Sequence, residues 1–344
     1  YIMSTLKVDA IRHNSATSDA ITTAADGTCT AKITSINDGA LSNRNLLHNS
    51  SFEVWQRGTT FASGASGGNR YTADRWSVPR RTRAAQSTDV PAGFKYALLL
   101  DREQTGGAEP FTVSQGIEKD NIRFTGSYTL SFYAKSSDIN SVNINVQDRT
   151  TVGEGGTNHS SIVTNQAVTI TSSWARYTYT FTLSSIALSG TCLRISIGNT
   201  SADQNDELLL TGIQLETGTT ATDIEKRSIG HELSLCQRYC YADRGSEDYH
   251  AVAQGHFNGS STGITMLYTP VNMRAAPTLA YPVGTWIVSG DSGTINPSNI
   301  YPTDNIGGVN AFQIRTAHSG GQSGEGFLLR TSSAGHTWIL DAEL

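Results

Sequence analysis

Between residues 96 and 216 apolar and polar side chains alternate with a period of two in one segment after another. The segments "YALLLD" (96–101), "SYTLSFYAKS" (127–136), "SVNINVQD" (141–148), "AVTITSS" (167–173), "RYTYTFTLS" (176–184), "CLRISIGN" (192–199) and "ELLLTGIQLE" (207–216) each set an apolar face against a wet one. Alternation of this kind marks half-buried antiparallel strands, and its recurrence between turn residues predicts a β-sandwich over 45–221. The rhythm returns in "HAVAQGHFN", "STGITMLYTPVNMRAAPTLAY", "TWIVSG", "VNAFQIRTA" and "GEGFLLRTSSAGHTWILDAEL". A second β unit over 242–344, of ordinary domain size, follows from it.

Residues 222–241 break the pattern, because Ile229, Leu233, Cys236 and Cys240 recur at i, i+4, i+7 and i+11. This spacing predicts a helix over 229–240 with Ser228 as its N-cap and Glu232 in its first turn. Leu235 and Tyr239 add a second apolar flank, so the helix is expected to be covered on two sides, against symmetry mates. Residues 1–44 are thinner: Leu6, Val8 and Ala10 alternate, then Cys29, Ala31 and Ile33 after an Asp26-Gly27 turn signal. One or two hairpins are predicted there. They hold too few large apolar side chains for a core and must pack on a partner or on copies of themselves.

Composition sharpens the fold class. Only 16% of the 344 residues are charged, against about 25% in an average soluble protein. Ser, Thr, Asn and Gly are plentiful, while the Lys and Glu that coat long helices are scarce. The chain is therefore expected to be all-β, and its length allows two or three domains. A net charge of −5 leaves no cationic reservoir for phosphates, which argues against nucleic acid as a partner. The densest basic cluster, Arg75, Arg80, Arg81 and Arg83, lacks interleaved aromatics and reads as a solvated loop. No window reaches the roughly 18–20 apolar residues of a membrane span, and "YIMSTLKVDA" lacks a secretion signal, so a soluble chain without membrane insertion is expected. Cys29, Cys192, Cys236 and Cys240 are too few for a disulfide scaffold and form no C-x-x-C pair. Cys236 and Cys240 stand one helical turn apart, poorly aimed for a disulfide, and are read as small buried hydrophobes of a chain folding in a reducing cytoplasm.

Catalytic motifs are missing. The chain has no G-x-S-x-G elbow, H-E-x-x-H helix, Walker loop or G-x-G-x-x-G before a helix. "GEGGTN" (153–158) and "GGQSGEGF" (320–327) lie between strands and read as turns. Glu154, Asp291, Asp304 and Glu325 are the carboxylates from which a glycosidase pair, about 5–9 Å apart, would have to come. The short repeated turns of a β-helix are absent, and the chain is not expected to be an enzyme.

Four blocks, "NLLHNSSFEVWQRGTTF", "YTADRWSV", "LLLTGIQLETGTTATDIEKRSIGHELSLCQRYCY" and "GITMLYTPVNMRAAPTL", together resemble the receptor-binding fibre and tail proteins of bacteriophages. The resemblance spans residues 45–280 with gaps. It implies an N-terminal arm (1–44) that joins other tail proteins and a jelly roll like that of carbohydrate-binding modules (45–221). A linker helix at a threefold axis (222–241) and a C-terminal β-sandwich tip (242–344) follow, the whole forming a homotrimer. Ile229, Leu233, Cys236 and Cys240 would be the trimer helix contacts.

In similar carbohydrate-binding modules the Phe-Glu of the first strand lends a carboxylate to a structural calcium, and a carboxylate near the last strand completes it. Glu53 matches the first half, but Thr211 and Gly212 stand where the second would be, so no metal and no cofactor is expected. Glu53 is instead read as a hydrogen-bonded tie, to Arg57 or to backbone amides, with Leu46, Leu47, Phe52 and Trp55 as core. Trp76 and Trp174 are read as core as well. Tyr281, Trp286 and Tyr301, in or near loops rich in Asn, Ser and Asp, are the candidate sugar-stacking residues of the tip. The resemblance implies a virion protein, assembled in the bacterial cytoplasm, that attaches the phage to host polysaccharide or lipopolysaccharide by multivalent adhesion. The alternatives are a purely structural virion protein, such as a head fibre, decoration protein or tail adaptor, and a polysaccharide depolymerase.

Overall fold

The computed structural model describes residues 10–11, 21–23, 29–31, 43–64, 67–103, 111–151, 157–199, 203–244, 249–280, 286–291, 293–307, 310–332 and 337–343. Among them the chain is all-β apart from one α-helix and one 3-10 turn. In the N-terminal segment β1 (Ala10–Ile11), β2 (Ile21–Thr23) and β3 (Cys29–Ala31) form a small antiparallel sheet, pairing Ile11 with Ile21 and Ile21 with Ala31. These are the hairpins the alternation predicts.

Twelve strands follow: β4 (Thr60–Phe61), β5 (Asn69–Tyr71), β6 (Ser77–Pro79), β7 (Arg83–Ser87), β8 (Ala97–Asp101), β9 (Phe111–Glu118), β10 (Gly126–Lys135), β11 (Ser141–Arg149), β12 (Asn158–Thr169), β13 (Ala175–Leu183), β14 (Cys192–Asn199) and β15 (Glu207–Thr217). They form two six-stranded sheets. The front sheet runs β13-β10-β15-β8-β7-β4 and the back sheet β12-β11-β14-β9-β6-β5. Between them lies one apolar core that includes Leu47, Phe52, Trp76, Phe111, Phe132, Ile144, Ile195 and Leu210. This non-sequential, fully antiparallel order is a jelly-roll sandwich. The sandwich thus closes its own core within one chain.

Strands β9 and β15 depart from the half-wet pattern. Both are buried along almost their whole length. For β15 the cover is chain from both ends of the sandwich: Leu46 donates to the Leu215 carbonyl at 2.9 Å and Ile213 to that of Ser50 at 3.1 Å, while Gln214 accepts from the Glu225 amide at 2.8 Å.

Helix α1 (Ile229–Gln237) starts where predicted, the Ser228 side chain accepting from the His231 amide. It ends earlier than the spacing suggests, so Cys240 opens the next strand instead of completing a helical stripe. The inward residues also differ. Glu232 and Cys236 are the buried ones, Leu233 is half-buried, and Ile229 is 56% exposed. A carboxylate faces inward because it has polar work there: it accepts from the Asn49 amide and pairs with Arg227 at 3.5 Å.

The C-terminal strands are β16 (Cys240–Arg244), β17 (Ala251–Phe257), β18 (Thr262–Tyr268), β19 (Thr278–Ala280), β20 (Trp286–Gly290), β21 (Gly293–Ile295), β22 (Asn299–Gly307), β23 (Ala311–Ala317), β24 (Gly326–Thr331) and β25 (Thr337–Asp341). A seven-stranded sheet, β21-β20-β24-β17-β18-β23-β22, accompanies a three-stranded one, β16-β25-β19. Phe257, Leu267, Trp286, Ile314, Leu329, Trp338 and Leu340 share their core.

Candidate functional site

The opening motif 45–58 is a structural knot. Asn49, with a positive φ of 52°, is 1% exposed and satisfied at every polar atom. Its side-chain amide donates to the Val54 and Asp74 carbonyls at 2.8 and 3.0 Å and accepts from the Val54 amide at 2.9 Å. Its carbonyl accepts from the Trp76 indole at 2.9 Å. Leu47, Phe52 and Trp55 are core, as expected, with Leu46 packed against it. Glu53 differs from expectation: it is exposed and makes no hydrogen bond among the described residues. The carboxylates that tie the motif down are Asp74, which accepts from the Gln56 amide at 2.9 Å, and Glu232.

Arg75 is a second correction. The sequence places it in a solvated basic loop, yet it is 1% exposed. Its guanidinium donates to Glu343 and to the Gly116 carbonyl, the latter at 2.6 Å, and lies 3.4 Å from the centroid of the Tyr239 ring. Arg57 joins the same acid cluster, reaching Asp341 at 2.9 Å and Glu343 at 3.3 Å. Partners 41 to 268 residues away along the chain make Arg75 buried, and no local pattern can show them.

Of the tip residues singled out from sequence, only Trp286 has its side chain among the described residues. Trp286 is 5% exposed and belongs to the apolar core, lining a small apolar cleft with Trp338 and Ile300. Tyr301 lies in β22, its backbone opposite Arg315, with its side chain outside the described residues; Tyr281 lies outside them altogether. Of the carboxylates considered for catalysis, Asp291 is exposed and Glu154 lies outside the described residues. Among the described residues no group of three or more His, Cys, Asp or Glu is placed to hold a metal ion, and no helix is long and apolar enough to cross a membrane. Cys192, Cys236 and Cys240 are buried free thiols, that of Cys192 pushed up to about 11 by burial.

The polar surface with the most regular geometry is the outer face of the back sheet. Along β11 the residues Val142, Ile144 and Val146 point into the core, so Asn143, Asn145, Gln147 and Arg149 face outward in a ladder about 6.7 Å apart. All four are half-buried. The register sets Gln147 opposite Arg194 and Asn145 opposite Ser196, then Ser114, then Ser77. Small hydroxyls therefore make a floor beside the ladder. Arg194 reaches over this floor and donates to Ser114 at 2.9 Å. Burial, with Arg149 alongside, lowers the Arg194 guanidinium to about 10, still cationic at neutral pH. The Ser77 hydroxyl, on a residue 1% exposed, has no partner. Gly198 completes the floor: a Cβ there would lie 2.1 Å from the Phe111 carbonyl oxygen. The edge strand β12 extends the face, the Asn165 amide donating to the Asn145 side chain at 2.8 Å. Sequence reasoning saw "SVNINVQD" only as a strand. Its run of outward amides was the available signal.

No protein-family model matches the chain, and no curated protein does. Among solved structures it is similar to the CBM22-1 xylan-binding domain of Paenibacillus barcinonensis Xyn10C, at 17% identity over 46% of this chain and 98% of that one, with a TM-score of 0.32. It is also similar to TmCBM61 in complex with β-1,4-galactotriose, at 15% identity over 50% and 98% of the two chains, TM-score 0.30. A third likeness is to the enzymatically active domain of bacteriophage CBA120 tailspike protein 4, at 12% identity over 50% of this chain and 21% of that one, TM-score 0.32.

Proposed function

We propose that this chain is a bacteriophage tail-fibre adhesin that holds host surface glycan on the ledge formed by Asn143, Asn145, Gln147 and Arg194. The observation that carries this reading is the ladder itself. Planar amides and a guanidinium, repeated along one straight strand and half sunk in the surface, offer donors and acceptors to the hydroxyls of an extended sugar chain. The strand is rigid because its other face is core, so little ordering entropy is lost on binding. The contact is polar and wet, which makes a single site weak. A homotrimer on several fibres raises the avidity by about 10²–10⁴. In this proposal residues 1–44 join the fibre to other tail proteins, and exposed Ile229 and half-buried Leu233 of α1 face the threefold axis in the virion. Sugar is held and not cleaved.

The test is an array of bacterial envelope polysaccharides probed with the full chain and with a Gln147→Ala, Arg194→Ala double variant. Retention by the native chain and loss by the double variant supports the proposal. No retention on any polysaccharide would leave the structural virion reading in its place, and release of new reducing ends would favour the depolymerase. Mass in native buffer tests the assembly separately, three times the 36.8 kDa chain being expected.

A further inference from the structure

The outer face of the front sheet holds a different constellation. Leu130, Phe132 and Ala134 of β10 point into the core, so Tyr133 and Lys135 point outward. The register places Arg176 opposite Tyr133, and one step on from the Ala134–Ala175 pair it places Trp174 beside Lys135. Trp174, expected in the core, is half-buried at the surface. Its indole N–H donates to Asp89 at 2.9 Å, and the same carboxylate receives the Lys135 ammonium at 2.5 Å. Those two bonds hold the Asp89 carboxyl below its ordinary range.

Asp89 belongs to the connection between β7 and β8, which brings a third ring to this face. Phe94 meets Tyr133 edge-on, with centroids 5.2 Å apart. Phe94 is fixed from below by Gly212: φ is +58° there, and a Cβ would come within 2.7 Å of the ring. Two of the rings have a cation beside them. The Arg176 guanidinium is 6.0 Å from the Tyr133 centroid and the Lys226 ammonium 5.8 Å from that of Phe94. Exposed Lys226 is held by the Gly93 carbonyl at 2.9 Å. A cleft with about 120 Å³ of free volume opens at this end, lined by Phe94, Lys226, Glu53 and Ser51.

We propose that Trp174, Tyr133 and Phe94 form a second binding strip, on the sheet opposite the ledge, for sugar residues that carry a carboxylate or a phosphate. The rings supply flat apolar faces for the C–H surfaces of sugar rings. Against Asp89 on the strip itself, Lys135, Arg176 and Lys226 supply charge for the anion, in a chain whose net charge is −5, while Glu53, Glu225 and Glu232, with Arg227, line the cleft beyond Phe94. Neighbouring strip residues are about 5–8 Å apart by the geometry of a pleated sheet, so consecutive sugars can meet consecutive rings. The strip uses none of the ledge residues and stands or falls apart from it.

The test is biolayer interferometry of the full chain on immobilised polygalacturonate, phosphomannan and dextran. Binding to either acidic polymer and not to dextran is expected, weakening at least about tenfold between 50 and 300 mM NaCl. Binding to one acidic polymer alone identifies the anion. Trp174→Ala and Lys226→Gln should each weaken it at least about fivefold, whereas Arg123→Gln, at an exposed position just before β10, should leave it unchanged. Lys226 is exposed, so its variant reports on binding even where the Trp174 variant does not fold. Equal retention on dextran, absence of binding to both acidic polymers, or a Lys226→Gln chain that binds as before overturns the proposal. So does a native-buffer mass that falls in the strip variants while polymer binding is kept, because the strip would then be a contact between copies of the chain.

Discussion

The Arg75 guanidinium lies 3.4 Å from the centroid of the Tyr239 ring while it donates to the carboxylate of Glu343. One side chain thus joins the start of the sandwich, the chain just beyond α1, and the segment that follows β25. The side chains of Arg75 and Glu343 are 1% and 3% exposed. A charge left unpaired at such depth costs far more than a surface pair contributes. Arg75→Lys keeps the charge but loses the planar fork that serves Glu343 and the Gly116 carbonyl together. A loss of about 3–5 kcal/mol is expected for Glu343→Ala, with Arg75→Lys in the same direction and smaller, read from urea midpoints at constant slope.

Asp74 gives the fold a pH dependence of opposite sense to that of a surface carboxylate. Burial, countered in part by Arg57, raises its carboxyl to about 6 from 3.8. Between those values the folded chain binds a proton that the unfolded chain does not, so this group's contribution grows as pH falls through 6 and is absent at 7. Asp74→Asn cannot take up that proton. The native chain should therefore gain on the order of 2 kcal/mol relative to the variant between pH 7 and pH 4. Paired unfolding curves at the two pH values check the sign.

Asn49 carries more buried hydrogen bonds than its size suggests. Asn49→Ala orphans the Val54 amide and the Asp74 carbonyl and leaves the Val54 carbonyl only the Asp74 amide, a cost of about 3 kcal/mol or more. Asn49→Asp should be worse at pH 7 than at pH 4, because an ionised carboxylate would face the Val54 and Asp74 carbonyls to which the Asn49 side chain now donates. Thermal unfolding at both pH values is the measurement.

Gly212 is where the Phe94 ring rests. Gly212→Ala adds left-handed strain of about 1–2 kcal/mol and drives its methyl group into the ring. The expected signature is a lower melting temperature together with weaker binding to the acidic polymer retained by the native chain. A purely structural glycine would change the first and leave the second alone.

Strand existence was legible for most strands with a wet face, though of exposed β12 only residues 167–169 lie in an alternating segment. Strands β8, β10, β11, β13, β14 and β15 fall within a residue or two of their alternating segments, because a period of two is a direct consequence of the pleat. Strand β9, buried along almost its whole length, escaped, whereas equally buried β15 was legible from its Leu-rich run. The helix start was readable from Ser228, a local cap. Its end was not, because Cys240 pairs with Asp341 in another strand.

What the residue order decided by itself is the class: short alternating segments, few charges and one capped helical turn admit an all-β chain with a brief helix and little else. Which polar groups are buried was decided by tertiary structure alone. Arg75, Glu232 and Asp74 look like surface residues in the sequence, and only distant partners such as Glu343, Asn49 and Gln56 supply the bonds that offset their desolvation. The same holds for the two binding faces. Alternation says that Gln147 and Tyr133 point away from the core, but sheet order decides that Gln147 stands beside Arg194 and Tyr133 beside Arg176. Pairing between strands depends on non-local hydrogen bonds, which no stretch of a single strand encodes.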